Sequence, residues 1–142
     1  MLLSDVNVLI NAFRRRANDH EVCRRLVDGM VNGDSAYAVS DYVINGVVRI
    51  LRHPFLHEDP PTMDEILAFA GQIRNQPHAI VLEPGERHWH IFTQLCRQTQ
   101  ARSNLVPDAY LAALAIEHGC EFVTCDKDFA RFEGLRWRSP LN

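Results

Sequence analysis

Apolar positions along the chain alternate between short unbroken runs and longer stretches of helical period. Met1-Leu2-Leu3-Ser4-Asp5 reads as a short buried strand ending on an acid, and residues 36–40 and 79–82 read as two more. A fourth begins at Glu121 and ends on the carboxylates Asp126 and Asp128. Between these runs, residues 6–13 look helical. Residues 20–31 place Val22, Cys23, Leu26, Val27 and Met30 on one stripe, with Gly33 just past the end. Residues 41–52 predict a helix stopped by Pro54, with Tyr42, Val43, Val47, Ile50 and Leu51 inside and Gly46 in its middle. Thr62-Met63-Asp64-Glu65 has the form of a capping box opening a helix to about residue 75. Residues 86–99 are amphipathic, with Trp89, Phe92, Leu95 and Cys96 expected to face inward. Pro107, read as the first helical position, opens an almost unbroken apolar run to Ile116, the pattern of a buried helix. Residues 135–138 suggest a short edge strand, and residues 55–61 a proline-bearing loop.

Strands alternating with helices, joined by connections too long for hairpins, predict an α/β fold. The expected form is a three-layer α/β/α domain with a central, mostly parallel sheet. No repeat or linker divides the 142 residues, so one domain over residues 1–142 is expected. No apolar run reaches the ~20 residues that cross a bilayer. No basic-then-apolar start points to export, so no membrane is expected and the cytosol is the default.

The net charge of -3 argues against a protein that coats nucleic acid without specificity. Fourteen of the 15 basic residues are Arg, with Lys127 the sole lysine. Arg forks onto phosphate, so local phosphate recognition stays open beside simple codon bias. Cys23, Cys96, Cys120 and Cys125 form no C-x-x-C pair and read as buried free thiols. His88 and His90 lack partners at zinc spacing and are expected on an exposed helix face.

The acids carry the chemistry. Asp5, Asp108 and the pair Asp126/Asp128 all stand at ends of buried elements. Each has an ordinary explanation: Asp5 as an N-cap, Asp108 in a helix's first turn, and Asp126 capping a short helix that contains Phe129. If the first and fourth strands are neighbours, however, Asp5 and Asp126 open onto one rim, and a helix beginning near Pro107 brings Asp108 there too. Converging carboxylates repel unless cations offset them. Hard divalent ions with oxygen ligands, Mg²⁺ or Mn²⁺, are the natural partners. Such a site suits phosphodiester hydrolysis.

Leu2-Leu3-Ser4-Asp5-Val6-Asn7-Val8-Leu9-Ile10 resembles the opening motif of PIN domains. Pro107-Asp108-Ala109-Tyr110-Leu111-Ala112-Ala113-Leu114-Ala115 resembles their third motif, and Val123-Thr124-Cys125-Asp126-Lys127-Asp128-Phe129 their fourth. Length and element order fit the VapC-type toxins of bacterial toxin–antitoxin pairs. The resemblance implies a PIN-like fold and a Mg²⁺- or Mn²⁺-dependent endoribonuclease toxin that hydrolyses RNA with metal-activated water. It also implies a VapB-type antitoxin partner and a homodimer. One departure stands out: the Glu common in the helix after the second strand falls here on Gly46.

On this reading Asp5, Asp108 and Asp126 are the catalytic and metal-ligating residues. Asn7 and Thr124 orient them, Asp128 is auxiliary, and Arg49 and Arg52 are candidate phosphate contacts. Asp41 lies too far along its helix to replace the missing Glu. Two rivals remain. A phosphohydrolase using Asp5 as a covalent nucleophile would need an acid where Asn7 stands. A catalytically weak or inactive PIN-like module that binds RNA or antitoxin would follow from the loss at Gly46.

Overall fold

The computed structural model describes residues 1–54 and 59–141, so the expected loop at 55–61 lies largely outside the described residues. The strands are Leu2–Ser4 (β1), Tyr37–Ser40 (β2), Ala79–Leu82 (β3), Glu121–Val123 (β4) and Trp137–Arg138 (β5). They form one sheet in the order β3-β2-β1-β4-β5, and every neighbouring pair is parallel. A parallel pair cannot be closed by a tight turn, and here helices make the crossovers. The helices are Val6–Phe13 (α1), His20–Asn32 (α2), Asp41–Leu51 (α3), Met63–Arg74 (α4), His88–Thr99 (α5) and Leu105–His118 (α6). Helix α1 packs on α2 and α3, α3 on α4, and α5 on α6, giving the three-layer α/β/α arrangement.

The core is where the sheet's apolar rows meet the helical stripes. Leu3, Phe122 and Val123 are fully buried, as are Val8 of α1, Val47 of α3 and Ala112, Ala113 and Ala115 of α6. Small side chains on α6 let that helix lie close to its neighbours, consistent with its apolar character around most of its circumference.

Five local expectations change. Helix α6 begins at Leu105, so Pro107 sits in the first turn rather than at its first position. The first four helical N–H groups have no intrahelical acceptor, so Pro loses nothing there. In α3 the buried stripe is Val43, Val47 and Leu51, and Tyr42, one residue round the helix, faces out. In α5 His88 and Leu95 are buried, whereas Trp89 is exposed. His88 therefore leaves the exposed face expected for it, while His90 stays there. At the start of α4 the Thr62 hydroxyl accepts from the Glu65 N–H at 3.1 Å, but the Glu65 carboxylate turns to that hydroxyl at 3.2 Å instead of closing the box on the Thr62 N–H. Among the described residues no helix is long and apolar enough to cross a membrane.

Candidate active site

The register of the two central strands builds the site. Ser4 lies opposite Val123, and the Asp5 N–H donates to the Val123 carbonyl at 2.9 Å. Asp5 and Thr124 therefore leave the sheet side by side at its C-terminal rim, where ligands collect in open α/β sheets. Asp5 caps α1 as expected, with Oδ1 accepting from the Val6 N–H at 2.7 Å. Its Oδ2 accepts from the Thr124 hydroxyl at 2.7 Å and from Asn7 Nδ2 at 3.1 Å.

Thr124 is fully buried and is the hub. Besides donating to Asp5, its Oγ1 accepts from Asn7 Nδ2 at 3.2 Å and from the Asp126 N–H at 3.0 Å. Asn7 also accepts the Cys125 N–H on Oδ1 at 3.0 Å. The loop after β4 is thus fastened to the start of α1 through two side chains. Asp126 caps a 3₁₀ helix, Lys127–Arg131, with Oδ1 accepting from the Asp128 N–H at 2.9 Å. Asp128 itself is exposed.

Asp108 arrives in the first turn of α6, partly buried, and its carboxylate accepts no hydrogen bond among the described residues. Burial lifts its pKa to about 7, with Asp5, Asp126 and Asp128 adding repulsion. Burial also raises Asp5, opposed by the bonds from Thr124 and Val6, with Asp126 adding repulsion and Asn7 lowering it. Among the described residues neither acid is in an ion pair, and the charges acting on Asp108 are those of Asp5, Asp126 and Asp128. A partly desolvated set of oxygen donors with no basic partner fits a hard divalent cation. As it stands, no three His, Cys, Asp or Glu side chains among the described residues are gathered tightly enough to form a closed ligand set.

The remaining candidates divide. A Cβ on Gly46 would come within 3.1 Å of Val6 Cγ2, so glycine here lets α3 lie close on α1 beside Asp5. Asp41 is held by Arg74 at 2.6 and 2.9 Å, away from the rim acids' network. Arg52 Nη1 donates to the Pro61 carbonyl at 3.1 Å, while Arg49 is exposed and makes no hydrogen bond or ion pair among the described residues. Sequence reasoning missed His88, whose Nε2 lies 2.9 Å from the Tyr110 carbonyl of α6. Its signal was available: positions two apart do not share a helix face, so His88 and His90 could not both be exposed on one.

The PIN-domain family model matches residues 2–135. The chain belongs to the PIN-domain family. Ribonuclease VapC43 of Mycobacterium tuberculosis is 36% identical to this PIN domain over 142 residues, covering 100% of this chain and 97% of its own. Ribonuclease VapC25 of the same organism is 35% identical over 140 residues, covering 99% of each. The PIN domain is therefore a member of the VapC ribonuclease group. Among solved structures, VapBC-1 from nontypeable Haemophilus influenzae superposes with a TM-score of 0.71 over 99% of this chain and 98% of that one. Identity there is 14%, so the likeness is one of fold.

Proposed function

We propose that this protein is the endoribonuclease toxin of a toxin–antitoxin pair, cutting RNA at the rim that carries Asp5, Asp108 and Asp126. The observation that carries this reading is a set of rim carboxylates with no basic partner, in a chain over a third identical to named VapC ribonucleases. Asp5, Asp108 and Asp126 are the residues that would hold a divalent cation, Mg²⁺ or Mn²⁺. When bound, such an ion supplies charge to offset the acids and the phosphate, and it makes water more acidic.

The chain's own residues do the rest. Thr124 and Asn7 hold the Asp5 carboxylate in one orientation, so little rearrangement is needed when substrate arrives. Thr124 also fixes the Asp126 backbone. Asp108 is the acid free to turn. Asp128, exposed and one step outward, would act through the capping turn of Asp126. Of the two arginines, Arg49 has its guanidinium free for a phosphate, whereas Arg52 is engaged at Pro61.

A toxin–antitoxin complex from Klebsiella pneumoniae shares this fold, which supports a VapB-type antitoxin as the partner here; a homodimeric, cytosolic toxin is proposed with it on the family resemblance alone. The test is to incubate purified protein with cellular RNA and Mg²⁺ or Mn²⁺, beside chelator and Asp108→Ala controls. Discrete fragments lost in both controls are expected. Equal fragmentation by wild type and Asp108→Ala would assign the cleavage to another centre.

A further inference from the structure

Away from the acids, a run of three arginines, Arg14-Arg15-Arg16, joins α1 to α2. With Arg24 of α2 these residues line a cleft of about 870 Å³, which Asp59 and Glu65 also line. Four guanidiniums thus share one cleft with two carboxylates, in a chain whose net charge is -3. Arg24 is held by Asp28 at 3.0 Å, and the Glu65 carboxylate accepts from the Thr62 hydroxyl at 3.2 Å. The side chains of Arg14, Arg15 and Arg16 make no hydrogen bond or ion pair among the described residues. Adjacent guanidiniums without partners are suited to an anion that accepts from several of them, and phosphate oxygens do so in bidentate fashion.

The backbone beneath the run is fixed. The Arg14 N–H donates to the Ile10 carbonyl at 2.9 Å, the Ala17 N–H to the Arg14 carbonyl at 3.0 Å, and the His20 N–H to the Ala17 carbonyl at 3.1 Å. Phe13, also in the cleft, meets Phe69 of α4 edge-on with centroids 5.1 Å apart, which pins the end of α1. That helix ties the cleft to the acids. Asp5 caps its start and Arg14 its end, a rise of ~13 Å at 1.5 Å per residue. A few nucleotides of extended strand cover that span. An acid rim repels phosphate, so a strand that enters it needs positive charge along its path, and one short rigid helix carries both.

We propose that Arg14, Arg15 and Arg16 bind backbone phosphates of the RNA strand that flanks the bond cut at the acids. The proposal rests on the ribonuclease reading and names how that site holds its substrate. Contacts of this kind position a strand without reading its bases. A second copy of this chain fits the cleft less well, because a stable dimer face buries ~800 Å² per partner around an apolar centre depleted of charge.

The test measures binding of a single-stranded RNA 20-mer to the full-length protein by fluorescence anisotropy between 50 and 200 mM salt, with chelator present so that the RNA survives. Arg15 and Arg16 are exposed, so Arg15→Gln and Arg16→Gln should leave the melting temperature unchanged. Each should flatten the slope of log Kd against log salt by ~0.7 and raise the Kd roughly tenfold at 50 mM salt. Arg97→Gln, on the exposed side of α5, should change neither. Slopes equal to wild type in both cleft variants would overturn the proposal. Loss of polyglutamate binding with RNA binding intact would also overturn it, assigning the cleft to an acidic protein segment. So would a Kd change that accompanies dissociation of a dimer in sedimentation. If wild type cleaves RNA with Mg²⁺ or Mn²⁺ while the variants keep its slope, only the cleft fails. If wild type neither binds nor cleaves RNA, the ribonuclease reading fails with it.

Discussion

Asp5 and Asp108 carry the same group to the same rim, yet their surroundings differ in kind. Both oxygens of Asp5 receive donors at 2.7 to 3.1 Å, from backbone, hydroxyl and amide. Asp108 receives none, and burial with three neighbouring acids pushes its pKa to about 7. Asp5 is the fixed half of the site, built with the fold as the cap of α1. Asp108 is the half left under electrostatic stress, which a cation can relieve. On the proposed reading, the rigid half would set position and the stressed half would supply the driving force for binding a cation.

Loosening the fixed half should be felt in stability and rate together. Thr124→Val removes a donor to Asp5 and the acceptor of the Asp126 N–H at once. Leaving these buried groups unsatisfied should cost about 1–3 kcal/mol in chemical denaturation. Because the change also frees the orientation of Asp5, RNA cleavage should fall roughly 10–100-fold. A loss of stability without loss of rate would make Thr124 a packing residue only.

The stressed half should announce itself through pH. Asp108 has a folded pKa raised above its ordinary carboxylate value of 3.8, so the native state binds that proton more tightly than the unfolded chain. Stability of the metal-free protein should therefore decline as pH rises from about 4 to about 7 and level off above. Partial exposure screens the effect, so a size on the order of 1–2 kcal/mol is expected. Asp108→Asn should flatten that slope and leave the protein more stable than wild type at pH 8. Denaturant titrations across this range decide it; a slope unchanged in the variant would place the stress elsewhere.

The smallest effect is expected at Gly46. Alanine in a helix interior gains up to ~1 kcal/mol over glycine, but its Cβ would stand 3.1 Å from Val6 Cγ2. The two should nearly cancel, leaving the melting temperature of Gly46→Ala within a few degrees of wild type. A drop of more than about 2 kcal/mol would mean that Val6 cannot yield and that the α1–α3 contact braces Asp5.

The sheet, its helices and the placing of each acid at an element end were legible from the apolar runs that those acids terminate. Asp5 and Asp126 then had to share a rim once β1 and β4 were neighbours. What periodicity misplaced were residues one step round a helix from the buried stripe. In α5 the stripe runs through His88, Phe92 and Leu95, because the His88 ring reaches the Tyr110 carbonyl. Reading Trp89 as the inward residue follows hydrophobicity and misses that polar anchor. Tyr42 fails in the same way beside Val43. The Thr124 hub was legible only as a residue type near acids. Two of its three side-chain bonds, to Asp5 and Asn7, join segments 119 and 117 positions apart, which no local pattern encodes.

Calorimetric titration of the metal-free protein with Mn²⁺, for wild type and Asp108→Asn, tests the central claim most directly. Wild type should bind near pH 7 and release protons as Asp108 gives up its own. Asp108→Asn should bind more weakly by more than the ~10–100-fold that loss of an outer-sphere partner costs, with the proton release gone. Equal affinity and equal proton release in the two proteins would contradict a cation site built on Asp108.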